Sequence, residues 1–273
     1  MSACCRRRVC LTRRTTGHAH ANGRTYITTT TAEVETANLI DKFRYFRTTD
    51  VTDALDALGR QDLTLMDERV RPLWEGIRFW GPAMTVRALP SNVRMPVLTP
   101  EEAIRSHAIW FDQYGGMGIK DAITPGCIVV TATGGCPEVG IWGSNNSMEM
   151  IALGAVSIVT DGYCRDTDEV IRQRTPVACR ARGRTIIPGR VTFTGVNEPV
   201  ACGNVLVRHG DIVGCDGDGV VVVPQELVVD VINLAKDILI DDAPKRRRLY
   251  ERLGLPMDET VDVEAMQAFY ADV

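Results

Sequence analysis

Past residue 33 the chain alternates between stretches with apolar residues at helical spacing and short, solid apolar runs with no polar face. Residues 34–45 predict a helix, and "TTDVTDAL" opens a second one, with Thr48 or Thr49 as cap and acids in the first turn. "IRFWGPAMTVRAL" reads as a strand, a Gly-Pro break and a second strand. "TPEEAIRSHAIWFD", residues 99–112, predicts a helix with Pro100 at its first position. "GCIVVTAT" and "AVSIVTDG" predict buried strands, and between them "GSNNSMEMIALGA" predicts a helix with Met148, Ile151 and Leu153 on its apolar face. After Asp166 come a short helix and a β-rich block with turns at His209-Gly210-Asp211 and Asp216-Gly217-Asp218-Gly219. A helix follows from Pro224, striped by Val228, Val231, Ile232, Ala235 and Ile238, and Pro244 is expected to end or kink it. This order predicts an α/β protein, a single layered domain over residues 32–273 with C-terminal helices.

The first 31 residues change the picture at one end only. They hold six arginines, many Ser and Thr and no acid, a composition that builds no core, so they read as a disordered extension or a misplaced start. No apolar segment follows Arg13-Arg14 as a secretory or twin-arginine signal requires. At 273 residues and 45% hydrophobic, the rest is long enough for a proper core. A net charge of -4 gives no general attraction to nucleic acid or anionic lipid, so a small-molecule ligand is favoured. No apolar run approaches the roughly 20 residues of a membrane span. Nine scattered cysteines without a CxxC pair read as reduced thiols in a cytoplasmic protein.

Candidate chemistry concentrates in "TDGYCRDTDEV", residues 160–170. The ordinary reading makes Asp166 a helix cap, with Glu169 completing an Asp-x-x-Glu capping box. Arg165 adds a second reading, because a guanidinium just beyond a strand's carboxyl end can clamp a carboxylate while the adjacent Asp holds a hard cation. "GIWGSNN", residues 140–146, is either an ordinary loop capped by Ser144 or Asn145, or an anion site made by the free N–H groups that open a helix. Other motifs fall short. "TATGGCPEVG" lacks G-x-G-x-x-G spacing, "GGMGIK" lacks P-loop spacing, "DGDG" has no glutamate at calcium-loop distance, and "KRRRLYER" reads as a solvated helical face. Cys164 has no histidine placed by sequence to activate it.

The segments "WGSNNSMEMIALGAVSIVTDGYCRD", "ARGRT" and "PVACGNVLVRHGDIVGCDGDGVVVVP" resemble the RraA-like family. That family holds 4-hydroxy-4-methyl-2-oxoglutarate / 4-carboxy-4-hydroxy-2-oxoadipate aldolases that also decarboxylate oxaloacetate, and the regulator of ribonuclease E activity. Its members often carry the label dimethylmenaquinone methyltransferase. The likeness runs from about Thr48 through the C-terminal helices. It implies a swivelling β/β/α fold, a homotrimer or a hexamer built as a dimer of trimers, and a cleft between subunits.

For function, the resemblance implies a class II, metal-dependent lyase cleaving a C–C bond of a 2-oxo acid, by retro-aldol reaction to pyruvate or by decarboxylation. Arg165 and Asp166 are then the catalytic pair, Arg165 holding the substrate and Asp166 ligating Mg²⁺ or Mn²⁺. Backbone amides of Gly143, Ser144, Asn145 and Asn146 bind its carboxylate, Arg190 assists, and Asp241 or Asp242 comes from a neighbouring subunit to the metal. Ser144 stands where many aldolase members have an acid, which implies weaker metal binding or a shifted substrate. The alternative is a non-catalytic regulator that binds a ribonuclease or another protein. A methyltransferase is disfavoured, since no adenosylmethionine-type glycine loop is present.

Overall fold

The computed structural model describes residues 38–113 and 118–271, so the reading of residues 1–31 lies outside the described part. Strands β1 (Arg71–Pro72), β2 (Phe79–Pro90), β3 (Ile128–Ala132), β4 (Gly140–Trp142), β5 (Ser157–Cys164), β6 (Val177–Arg182), β7 (Val191–Val196), β10 (Ile212–Asp216) and β11 (Gly219–Val223) form one mixed sheet. Its main order is β1-β6-β5-β3-β2-β10-β11, with β4 added to β5 and β7 to β2. Strands β8 (Val200–Cys202) and β9 (Val205–Val207) make a separate hairpin. The helices named below are α1 (Thr48–Ala57), α2 (Pro100–Gln113), α3 (Ser144–Ala152), α4 (Thr167–Arg172), α5 (Val228–Leu253) and α6 (Val263–Phe269). The mixed α/β layering and the C-terminal helices agree with the sequence reading.

The centre of the sheet is parallel, β2 to β3 to β5 to β6, and all five residues of β3 are buried. Burial on both faces explains the solid apolar runs, since neither face meets water. In β11, Val220 and Val222 pack among the sheet and hairpin residues, whereas Val221 and Val223 face α1, α5 and α6. The sheet thus separates a layer of C-terminal helices from its own interior.

Four local expectations are corrected. The break at Gly81-Pro82 is absent, and β2 is one strand of 12 residues. Up to Pro82 it pairs with β10, and from Ala83 it pairs with β3. Proline, lacking an N–H, falls where the strand exchanges partners. Neither Thr48 nor Thr49 caps α1: Arg47 occupies the cap position, and Asp50 accepts its N–H at 2.8 Å. The Thr48 hydroxyl instead donates to Asp216 on the β10–β11 hairpin at 2.6 Å, a charge-assisted bond. Helix α3 buries Ser147 and Met150 and packs Ile151 partly against the core as expected, but leaves Met148 and Leu153 exposed. Finally, α5 does not end at Pro244 but runs on to Leu253. Buried Leu239 and Ala243 before the proline, and the Arg246 bond to the Thr260 carbonyl at 2.8 Å after it, hold the helix across the missing hydrogen bond. Arg246 is therefore tied to the segment that leads into α6 and Arg247 to Glu264 within α6, and the basic run is not simply a solvated face.

The α2 start follows the sequence reading, with Thr99 and Glu102 exchanging backbone and side-chain hydrogen bonds as a reciprocal capping box. No helix among the described residues is long and apolar enough to cross a membrane.

Candidate active site

Parallel strands β4 and β5 end side by side, and each hands over to a helix. Gly143 follows β4 and is the N-cap position of α3, so the cap is neither Ser144 nor Asn145. Arg165 and Asp166 follow β5 and lead into α4. The Arg165 N–H donates to the Trp142 carbonyl at 2.8 Å, which fixes the two strand ends to each other. The two segments singled out in the sequence therefore meet, at the carboxyl ends of parallel strands where α/β sheets bind ligands.

Asp166 occupies the N-cap position of α4, and its carbonyl accepts the Val170 N–H at 3.0 Å, but its side chain does not cap the helix. The Asp166 backbone is left-handed, with φ 52° and ψ 36°. For a residue with a Cβ that conformation is strained, and such strain persists only where surrounding structure imposes it. It turns the carboxylate back toward α3, where Oδ2 accepts the Ser144 N–H at 3.3 Å and Oδ1 accepts Arg165 Nε at 3.2 Å. Both side chains remain about one-third exposed. The expected Asp-x-x-Glu capping box is thus replaced by a carboxylate held between a guanidinium and a helix N-terminus.

Two glycines permit this approach. A Cβ on Gly143 would lie 2.6 Å from Asp166 Oδ2, and one on Gly140 would lie 2.7 to 2.9 Å from three carbons of Arg165. Beside the pair opens a cleft of about 320 Å³. Trp142, Asn145 and Asn146 line the side nearest the pair, whereas Arg165 and Asp166 lie next to the cleft and not in its wall. The Trp142 indole N–H donates to the Thr131 hydroxyl at 3.0 Å, which orients its ring.

The other residues proposed from sequence lie on other elements, and their partners within the chain do not include Arg165 or Asp166. Arg190 lies on the turn after β6, exposed, and its guanidinium bonds the Ile186 carbonyl at 2.9 Å; the same turn carries Ile187, which lines the cleft. Asp241 and Asp242 lie on α5, both paired with Lys245, and Asp242 also with Arg47 at 3.9 Å. Among the described residues there is no group of three His, Cys, Asp or Glu that could hold a metal. Asp166 still suits Mg²⁺ or Mn²⁺, because such ions keep several waters and bind through one or two carboxylates plus substrate. Its two oxygens each accept one N–H bond and retain lone pairs toward solvent.

Cys164 is not a nucleophile. It is fully buried, and burial pushes its thiol up to about 12, so it stays protonated at neutral pH. Glu138, in the loop before β4, is held below the usual carboxylate range, chiefly by its bond to Arg184. That pair, with the Thr185 hydroxyl on the Glu138 carbonyl at 2.6 Å, fastens the β6 end to the loop that opens the site.

A family model described as RraA-like: Aldolase/RraA matches residues 48–222. The chain belongs to the RraA-like family. The matched span includes the Gly143–Asn146 loop, the Arg165–Asp166 pair and Arg190, and leaves Asp241 and Asp242 outside. This RraA-like chain is 30% identical over 217 residues to the "Putative 4-hydroxy-4-methyl-2-oxoglutarate aldolase" of Halalkalibacterium halodurans, covering 79% of this chain and 90% of that protein. It is 24% identical over 198 residues to protein DlpA of Legionella pneumophila, covering 72% of this chain and 29% of that one. Among solved structures, Streptomyces coelicolor RraAS2, described as an unusual member of the RNase ES inhibitor RraA protein family, superposes with a TM-score of 0.65 at 23% identity. That match spans 77% of this chain and 98% of RraAS2, and an uncharacterized protein from Pseudomonas syringae gives 0.63 at 24% identity over 85% and 97%. At these identities the structural likeness shows the fold alone.

Gly140 and Trp142 fall inside the stretch singled out in the sequence, residues 140–146, but receive no role of their own there, and Lys120 is not singled out. The glycines at 140 and 143, bracketing "IW" just before a predicted helix, were the available signal for a close approach there.

Proposed function

We propose that this RraA-like chain is a divalent-metal-dependent lyase that cleaves a C–C bond of a 2-oxo acid, releasing pyruvate by retro-aldol reaction or by decarboxylation of oxaloacetate. The observation that carries this reading is Asp166, held left-handed at a strand end between Arg165 and the α3 N-terminus. The 30% identity to a protein named as such an aldolase supports it.

In the retro-aldol direction, the C3–C4 bond of a 4-hydroxy-2-oxo acid breaks and its electron pair moves to C3. The C4 hydroxyl gives its proton to an ordered water, C4 becomes a carbonyl, and C3 is protonated to yield pyruvate. Arg165 holds the substrate carboxylate and faces the charge that develops on the 2-oxo oxygen. The N–H groups at the α3 N-terminus, of Gly143, Asn145 and Asn146 with the Ser144 N–H shared with Asp166, complete the carboxylate site, and Arg190 assists. Mg²⁺ or Mn²⁺ held by Asp166 would polarise the 2-oxo group as a Lewis acid. Asp241 of the partner subunit or Asp242 of the partner subunit is proposed as the outer acid, in a homotrimer or a dimer of trimers.

Chelation tests this. Pyruvate release from oxaloacetate or 4-hydroxy-4-methyl-2-oxoglutarate is expected to fall to background with EDTA and to return with Mg²⁺ or Mn²⁺. Full activity in EDTA would remove the metal from the account. No activity under any condition would favour the regulatory alternative, which a pull-down of a stoichiometric ribonuclease partner would then support.

A further inference from the structure

Strand β4 is short, and the sheet holds its start weakly. It has three residues, its pairing with β5 shifts register between Gly140 and Trp142, and the Gly140 N–H goes to the Thr185 carbonyl at 3.2 Å. Gly140 nevertheless sets the position of Arg165, because Cβ, Cγ and Cδ of the arginine lie where a side chain at 140 would stand. Whatever fixes Gly140 therefore fixes the stem of the guanidinium. Glu138 does so from two residues upstream. Its Oε1 accepts the Arg184 backbone N–H at 2.7 Å and Nε at 3.1 Å, its Oε2 accepts Nη2 at 2.8 Å, and its carbonyl accepts the Thr185 hydroxyl at 2.6 Å. Residues 183–185, which follow β6, are tied in turn to both strand ends that carry the site. The Gly183 N–H donates to the Cys164 carbonyl at 2.8 Å, directly before Arg165, and the Thr185 carbonyl takes the Gly140 N–H. Glu138 also packs over Gly183, where an added Cβ would stand 3.5 Å from its Cγ.

We propose that Glu138 is a positioning residue for Arg165, acting through residues 183–185 and Gly140 and not by touching substrate. The inference rests on the lyase reading and adds a residue to its machinery. The competing reading is an ordinary surface ion pair, which holds nothing in particular. Two features separate them. The Arg184 side chain is 87% exposed and adds little packing, whereas that of Glu138 is only 28% exposed, so the pair serves to hold one segment against another. Its two-pronged side-chain contact is also extended by a backbone N–H, which fixes the path of the chain as well as the side chain. Without Glu138, Arg165 keeps its backbone bond to the Trp142 carbonyl, and what loosens is the floor under its side chain.

The test is a double-mutant cycle on pyruvate release from 4-hydroxy-4-methyl-2-oxoglutarate and from oxaloacetate by the full-length protein with Mg²⁺ present, with melting temperatures measured alongside. Glu138→Ala is expected to lower kcat about tenfold and to change KM by less than about threefold, since the loss is in aim at charge that grows as the bond breaks. In an Arg165→Ala background the same substitution should cost less than about twofold, because the group it positions is already gone. Glu138→Gln should recover most of the loss, as its amide oxygen still accepts the Arg184 N–H. Arg184→Ala loosens the same clamp from an exposed side chain and should lower kcat by about threefold in a protein that folds normally. Normal kcat in a folded Glu138→Ala protein overturns the inference, and so does a tenfold loss repeated in full on top of Arg165→Ala. Should Glu138→Ala not fold, normal kcat in Arg184→Ala overturns it. If Arg165→Ala is inactive while Glu138→Ala is normal, the lyase site stands and only the positioning role falls. No pyruvate release by the wild type from either substrate overturns the lyase reading and this role with it.

Discussion

Arg165→Ala is expected to lower kcat/KM for pyruvate release by about 10²- to 10³-fold, the loss typical for removing one donor aimed at developing charge. Most of that loss should appear in kcat, since the guanidinium faces charge that grows as the C–C bond breaks. The fold should hardly notice. The backbone N–H of residue 165 keeps its bond to the Trp142 carbonyl, and the side chain lost is one-third exposed, with a single 3.2 Å bond to its neighbour. Exposed pairs of this kind contribute about 0 to 1 kcal/mol. A variant with an unchanged melting temperature and near-normal turnover would remove Arg165 from the chemistry.

Gly140→Ala should damage the same site from behind. The added methyl would sit 2.7, 2.8 and 2.9 Å from Cβ, Cγ and Cδ of Arg165, and the Cβ cannot swing away because the strand ends are tied. Gly140 is not in the left-handed region that favours glycine, so the effect is steric and not conformational. Overpacking of this kind costs about 1 to 3 kcal/mol. A shift of the guanidinium by about 1 Å can reduce turnover by about 10²-fold. Gly217→Ala serves as the control, because nothing lies within 4 Å of its added methyl and its change should stay within ~0.5 kcal/mol. Equal stability and activity in the two variants would show that Gly140 does not position Arg165.

The buried strands were legible in the sequence because their residues face apolar neighbours on both sides, as Ile128 to Ala132 do. The pair was legible too, as an Arg-Asp step directly after such a run. Its surroundings were not. Asp-x-x-Glu is the same signal whether the aspartate caps a helix or turns away from it, and only the left-handed backbone of Asp166 separates the two. The face of α3 was read correctly only at Ile151, because a small residue, Ser147, is buried where the apolar pattern pointed to Met148 and Leu153. Gly81-Pro82 carried a break signal that the change of strand partners absorbs. Lys120 and Glu149 stand 29 residues apart, and nothing local to either announces that they meet.

The central claim is that Asp166 and Arg165 form the working centre of a metal-dependent lyase. It is tested most directly by pyruvate release from 4-hydroxy-4-methyl-2-oxoglutarate and from oxaloacetate, comparing wild type with Asp166→Ala at the same Mg²⁺ or Mn²⁺ concentration. The variant controls for the decay of oxaloacetate that those metals cause without enzyme. Turnover present in the wild type and lost in a folded Asp166→Ala protein is the expected result. Equal pyruvate release by the two proteins would contradict the assignment.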